Sequence, residues 1–125
     1  MPQPLPQYLE RHYTTIDSAN FRIAVDAMQQ VVESGTAQYR AKLADIIVCG
    51  KTGTVQNDPL PAHSVFIAFA PRDNPKIAVS VYVEFSGMGG RSAASIAGLL
   101  IEKYLKGKIT RQYVEDYVLL GDFLD

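Results

Sequence analysis

The residues whose types and spacing could do chemistry are few, and they centre on Lys51-Thr52-Gly53-Thr54. Chance alone places such a tetrapeptide in roughly one chain of this length per several hundred, so its neighbours must decide what it does. One pattern it touches is the phosphate-binding loop G-x-x-x-x-G-K-[ST], in which a glycine-rich turn lets backbone N–H groups cradle phosphate. Gly50-Lys51-Thr52 would close that pattern, but Asp45 stands where its leading glycine belongs. A carboxylate there repels phosphate, and the intervening Ile46, Ile47, Val48 and Cys49 favour a strand over a loop. The nucleotide reading fails on both counts.

A serine activated by a lysine one helical turn away needs the spacing S-x-x-K. The residues three beyond Ser18, Ser34, Ser64, Ser80, Ser86, Ser92 and Ser95 are Phe21, Ala37, Ile67, Val83, Gly89, Ser95 and Gly98, so no serine has that lysine. Ser18-Ala19-Asn20 spells S-x-N, yet it opens a helical pattern in which a capping role explains it. Cys49 shares a strand face with Lys51 and reads most simply as a small buried residue, with a thiol near the site as the alternative. His63 reads as a loop residue bonding locally, and Tyr82, Tyr104, Tyr113 and Tyr117 as core and surface packing.

The surrounding elements follow from periodicity. Three prolines among the first six residues predict an extended lead-in over 1–16. After Asp17 or Ser18 as cap, Phe21, Val25, Met28 and Val32 recur at helical spacing until Gly35, predicting an amphipathic helix that buries one stripe. Residues 46–51, 65–70 and 77–84 are β-branched or apolar runs separated by Asn57-Asp58-Pro59 and Pro71-Arg72-Asp73-Asn74-Pro75, which predicts three strands in an antiparallel meander. Gly87, Gly89 and Gly90 break the chain. Ser92 then caps a helix with Ile96, Leu99, Leu100 and Lys103-Tyr104 at helical spacing up to Gly107, its apolar face covering the sheet. The tail over 108–125 has Tyr113, Val114, Tyr117, Val118 and Leu119 at helix-like intervals.

Composition narrows the partners. With 125 residues, 47% hydrophobic and 20% charged, the chain supports one core. A net charge of −1, from 12 basic and 13 acidic residues, excludes strong attraction to nucleic acid or an anionic membrane. No stretch nears the roughly 20 apolar residues of a bilayer span, and the opening residues lack a signal peptide's pattern, so the chain as written reads as soluble. One cysteine, Cys49, excludes an internal disulfide, and with only His12 and His63 beside it no metal site or cofactor is expected.

The match to a known pattern runs well past the tetrapeptide. It takes in Met28, Gly35-Thr36-Ala37, Cys49-Gly50-Lys51-Thr52-Gly53-Thr54-Val55-Gln56, His63, Phe66-Ile67, Phe69-Ala70-Pro71, Pro75-Lys76-Ile77-Ala78-Val79, Gly89-Gly90, Ala93-Ala94 and Ile96-Ala97. In order and spacing, residues 17–107 resemble the C-terminal part of the transpeptidase domain of class B penicillin-binding proteins, especially the penicillin-binding protein 2 type. Val65 stands where a tryptophan is common, Ala68 for a glycine, Cys49 for an alanine and Ser95 for a proline, and none of these touches Lys51 through Thr54.

That resemblance implies an α+β fold: a three-stranded antiparallel sheet packed with N- and C-terminal helices, part of the β-lactamase/transpeptidase-like architecture. It also implies a substrate strand along whose edge a peptidoglycan stem peptide or a β-lactam lies, with Gly53 leaving room for its approach. Lys51 would supply positive charge, and the Thr52 and Thr54 hydroxyls would donate to the terminal carboxylate. The Thr54 backbone N–H would form half of an oxyanion hole. The serine that completes it has no counterpart in this sequence, so the chain alone is expected to be inert: a fragment of a peptidoglycan D,D-transpeptidase whose parent works at the periplasmic face of the bacterial inner membrane. The rival expectation is a non-catalytic periplasmic interaction module that keeps the fold. Further strands in the complete family sheet lie against the third strand, so an unpaired 77–84 edge is expected to drive self-association.

Overall fold

The computed structural model describes residues 2–124. The prolines of the lead-in keep it out of the helix and sheet, with one 3-10 turn, Pro6–Tyr8, where extended chain was expected. Helix α1, Ser18–Glu33, starts at Asp17, whose carboxylate accepts from the Ala19 N–H at 3.5 Å. A short helix α2, Gln38–Ala41, follows, which no periodicity announces. Then come strands β1 (Cys49–Val55), β2 (His63–Ala70) and β3 (Ile77–Val83), helix α3 (Ser92–Lys106) and helix α4 (Gln112–Leu120).

The strands form one antiparallel sheet in the order β1-β2-β3. This is the α+β arrangement expected from the sequence. Strand β1 begins later and runs further than predicted. The apolar residues 46–48 precede the ladder, and Lys51-Thr52-Gly53-Thr54 lies in mid-strand. The register sets Thr52 opposite Phe66 and Thr54 opposite Ser64, while Lys51 faces Ile67 and Gly53 faces Val65. Directly opposed residues project to the same face, so Thr52 and Thr54 share the face of Phe66 and Ser64, and Lys51 and Gly53 share the other.

On the first face lies the core, where Phe66, Ala68 and Ala70 of β2 meet Ala93, Ala94, Ala97 and Ile101 of α3 with Val32, Ala37, Ala41 and Val48. The buried side of α3 matches the predicted one only in part: Leu99 is buried and Ile96 half-buried. Its contact surface is a row of alanines, whereas Leu100 and Tyr104 are 50% and 53% exposed. Small residues win there because the helix lies close to the sheet. Ser92 is also not the cap. It is buried in the first turn, its hydroxyl 2.7 Å from that of Ser86, while the Ala93 N–H donates to Ser64 Oγ at 3.1 Å. The helix stops where predicted, at Gly107, which takes the left-handed conformation that ends helices with little strain (φ 77°).

The predicted stripe of α1 is only half used. Val32 is buried and Val25 and Met28 are partly so, but Phe21 remains 47% exposed.

A buried carboxylate joins the C-terminal helices. Glu102, with no exposed surface, accepts from the Thr110 N–H at 3.0 Å, the Thr110 hydroxyl and Arg111 Nε at 3.1 Å. Arg111 in turn donates to the Arg40 carbonyl at 2.8 Å, tying α2 to the segment before α4. Burial opposes ionisation of Glu102, but the bonds from Thr110 and Arg111 together outweigh it and hold the carboxyl below its ordinary 4.5. A depressed folded pKa gives stability that is full above the unfolded value and is lost as pH falls through the folded one. Acid titration followed by circular dichroism should therefore show stability declining below about pH 4.5. Glu102→Gln should lower stability at neutral pH by about 3 kcal/mol, since it leaves the Arg111 charge buried without its partner, and should flatten that acid limb.

Candidate functional site

Among the described residues β1 has one neighbour, so one of its edges is open. Just ahead of β1, and one residue off the β1–β2 register, the Ile47 carbonyl accepts from the Arg72 N–H at 2.9 Å, on the β2 side. Alternate residues of an antiparallel strand turn both backbone groups to the same side, which sends those of Lys51 and Gly53 toward β2 and those of Thr52 and Thr54 to the open edge. The Thr52 carbonyl accepts there from Lys51 Nζ at 2.8 Å, so the exposed ammonium curls onto the edge of its own strand.

The threonine side chains reach a pocket of about 460 Å³ on the α3 side of the sheet. Thr36, Thr52, Thr54, Tyr39, Tyr113, Arg40, Arg91 and the Met88-Gly89-Gly90 stretch line it. Among the described residues its lining contains no aspartate or glutamate. The Thr36 and Thr52 hydroxyls are 3.0 Å apart, and Thr54 Oγ1 accepts from the Gly89 N–H at 3.2 Å. Because the Thr54 oxygen is engaged as an acceptor, its own proton is left to donate into the pocket.

The glycines divide by what surrounds them. A Cβ on Gly89 would fall 2.1 Å from the Gly53 carbonyl oxygen, so only glycine lets the 87–91 loop close on β1. On Gly53 a Cβ would meet nothing nearer than Val65 Cβ at 3.5 Å, an ordinary contact. Packing within the chain does not demand a glycine at 53.

The four residues singled out in the sequence thus lie on one strand but not on one surface: Thr52 and Thr54 line the pocket, Lys51 and Gly53 project to the other face, and the Thr54 N–H points off the open edge. Thr36, Tyr39, Arg40, Arg91 and Tyr113 were not legible as site residues. Only Thr36 lies in a stretch that the family resemblance marks, and Tyr113, read as packing, is a pocket wall, 63% exposed. Cys49 is buried, and burial pushes its thiol up, the reverse of an activated nucleophile. His63 is neither in a loop nor bonded locally as expected: it opens β2, and its Nδ1 accepts at 2.9 Å from the N–H of Phe85, a residue brought beside it by the β2–β3 pairing. Ser18 is the first residue of α1 and is exposed. Among the described residues no His, Cys, Asp and Glu cluster is suited to a metal, and no helix is long and apolar enough to cross a membrane.

Comparison with known proteins gives this geometry its setting. The family model of the penicillin-binding protein transpeptidase domain matches residues 7–102. The peptidoglycan D,D-transpeptidase PbpA of Mycobacterium tuberculosis is 40% identical over 81 residues, covering 58% of this chain and 16% of that protein. The peptidoglycan D,D-transpeptidase MrdA of Haemophilus influenzae is 32% identical over 116 residues, 79% of this chain and 18% of that protein. Among solved structures, Pseudomonas aeruginosa PBP2 in complex with WCK 5153 superposes with a TM-score of 0.66 at 35% identity, over 78% of this chain and 22% of that one. The chain spans less than a quarter of the length of each of these relatives. It belongs to the penicillin-binding protein transpeptidase family, of the class B, penicillin-binding protein 2 type.

Proposed function

We propose that this chain is the substrate-binding edge of a peptidoglycan D,D-transpeptidase, with the nucleophilic serine supplied from outside these 125 residues. The observation that carries the reading is the open β1 edge, where the Thr54 N–H is available beside two threonine hydroxyls that line a pocket. A stem peptide or β-lactam would pair with that edge as an added strand, its carboxylate taking protons from the Thr52 and Thr54 hydroxyls. Lys51, at the same edge, would contribute positive charge where the reacting carbonyl lies. The Thr54 N–H would donate to the oxyanion of the tetrahedral intermediate, a donor worth about 3 kcal/mol in comparable sites. Without an S-x-x-K serine no acyl-enzyme forms on this chain. The parent would act at the periplasmic face of the inner membrane.

A second reading, a periplasmic interaction module that keeps the fold without catalysis, draws on the same missing serine. The genomic frame upstream of Met1 separates the two: S-x-x-K and S-x-N motifs there favour the transpeptidase, and a frame without them favours the module.

Incubation with a fluorescent penicillin should leave no label that survives denaturation, and a stable adduct would refute the claim of inertness. The two glycines offer a contrast in stability and binding. Gly53→Ala should leave thermal stability within about 0.5 kcal/mol while weakening binding of an acetylated D-alanyl-D-alanine peptide about tenfold, read from amide shifts of β1. Gly89→Ala should cost about 2 kcal/mol or more through backbone overlap. Strand β3 also has one neighbour among the described residues, so we propose that copies of the chain associate through the 77–84 edge. Light scattering should show a concentration-dependent rise in mass, and a strictly monomeric species at high concentration would oppose it.

A further inference from the structure

The pocket beneath β1 holds a positive charge that the strand itself does not provide. Lys51 is not part of its lining, whereas Arg40 of α2 is. The Arg40 guanidinium lies 3.8 Å from the ring centroid of Tyr117 in α4, a stacking contact that fixes its direction without neutralising it. Among the described residues no carboxylate lies within ion-pair distance of Arg40, and the pocket lining has none either. The backbone of Arg40 is held independently, its carbonyl accepting from Arg111 at 2.8 Å. Arg40 thus shares the pocket lining with Thr36, Thr52 and Thr54, and a planar fork of donors beside hydroxyls is the chemistry that recognises a carboxylate.

We infer that Arg40 is a specificity residue of this site, reading a carboxylate of the bound peptide from the side opposite the threonine hydroxyls, and that Tyr117 of α4 is the residue that positions it. The inference rests on the substrate-edge reading above. It adds a second cation, carried by a helix and aligned by another that lies beyond the matched residues 7–102. It also makes α4 part of the site: Tyr113 closes the pocket and Tyr117 aims the guanidinium.

The test is a nuclear magnetic resonance titration of the full chain with two probes, N-acetyl-D-alanyl-D-alanine and its C-terminal amide, following the Thr52 and Thr54 amides. The wild-type chain should prefer the free carboxylate by about tenfold, the scale of one charge-assisted contact. Arg40→Gln should erase most of that preference, and Arg40→Lys should restore only part of it, since the planar fork is lost. Tyr117→Leu should reduce the preference with Arg40 still present. Thermal melts of each variant confirm folding, which Arg40→Gln should keep because its structural bond is made by the backbone. A full carboxylate preference in folded Arg40→Gln would overturn the inference while leaving the substrate edge intact. Absence of any Thr52 or Thr54 shift with either probe in the wild-type chain would overturn both.

Discussion

The approach of the 87–91 loop to β1 sets the distance at which everything else is built. The Gly89 backbone packs so close to the Gly53 carbonyl that no side chain fits between them, and its N–H is bonded to the Thr54 hydroxyl. The chain then turns directly into α3, whose first turn is held on β2 by Ser64 and on the loop by Ser86. At that spacing the small residues Ala93, Ala94 and Ala97, with Ile101 a turn further on, face Phe66 and the rest of the sheet, while Leu100 and Tyr104 lie outside. Dense contact between small side chains and backbone replaces a bulky core here, and such packing tolerates little added volume.

A second consequence is that α3 becomes the platform for the C-terminal segment. Glu102 on its inner side collects Thr110 and Arg111, and Arg111 reaches the carbonyl of Arg40, so α2, α3 and α4 are joined through one buried charge. A carboxylate in that position is stable only because its acceptor sites are filled by a backbone N–H, a hydroxyl and a guanidinium. The same connection orders the wall of the pocket opposite β1. Stability and the shape of the site therefore share a single network.

The outer strands have complementary roles. The open edge of β1 is lined by a glycine that packing does not require, by hydroxyls and by an ammonium, features suited to receiving a peptide. The β3 edge is a plain β-branched strand with half-buried residues on its inner face. An open edge of this kind invites another strand.

By itself the sequence determined the types of the long helices and the strands, and the family. Alternating β-branched runs between proline and glycine turns permit little but a short antiparallel meander, and the helical period of residues 18–33 is set by the chain locally. It also determined that no serine is followed by lysine at the third position, a fact no fold can alter. The tertiary structure decided which face each motif residue uses, since a period of two assigns a side only once a partner and register exist: Thr52 falls with Phe66 and Lys51 with Ile67. It decided that Glu102 is buried and Leu100 is not, because helical spacing marks a stripe but not which small residues a close neighbour will select. And it brought Arg40, Tyr113 and Tyr117 to Thr52 and Thr54 across distances in sequence that local propensity does not reach, so the cationic wall of the pocket appears only when the helices pack.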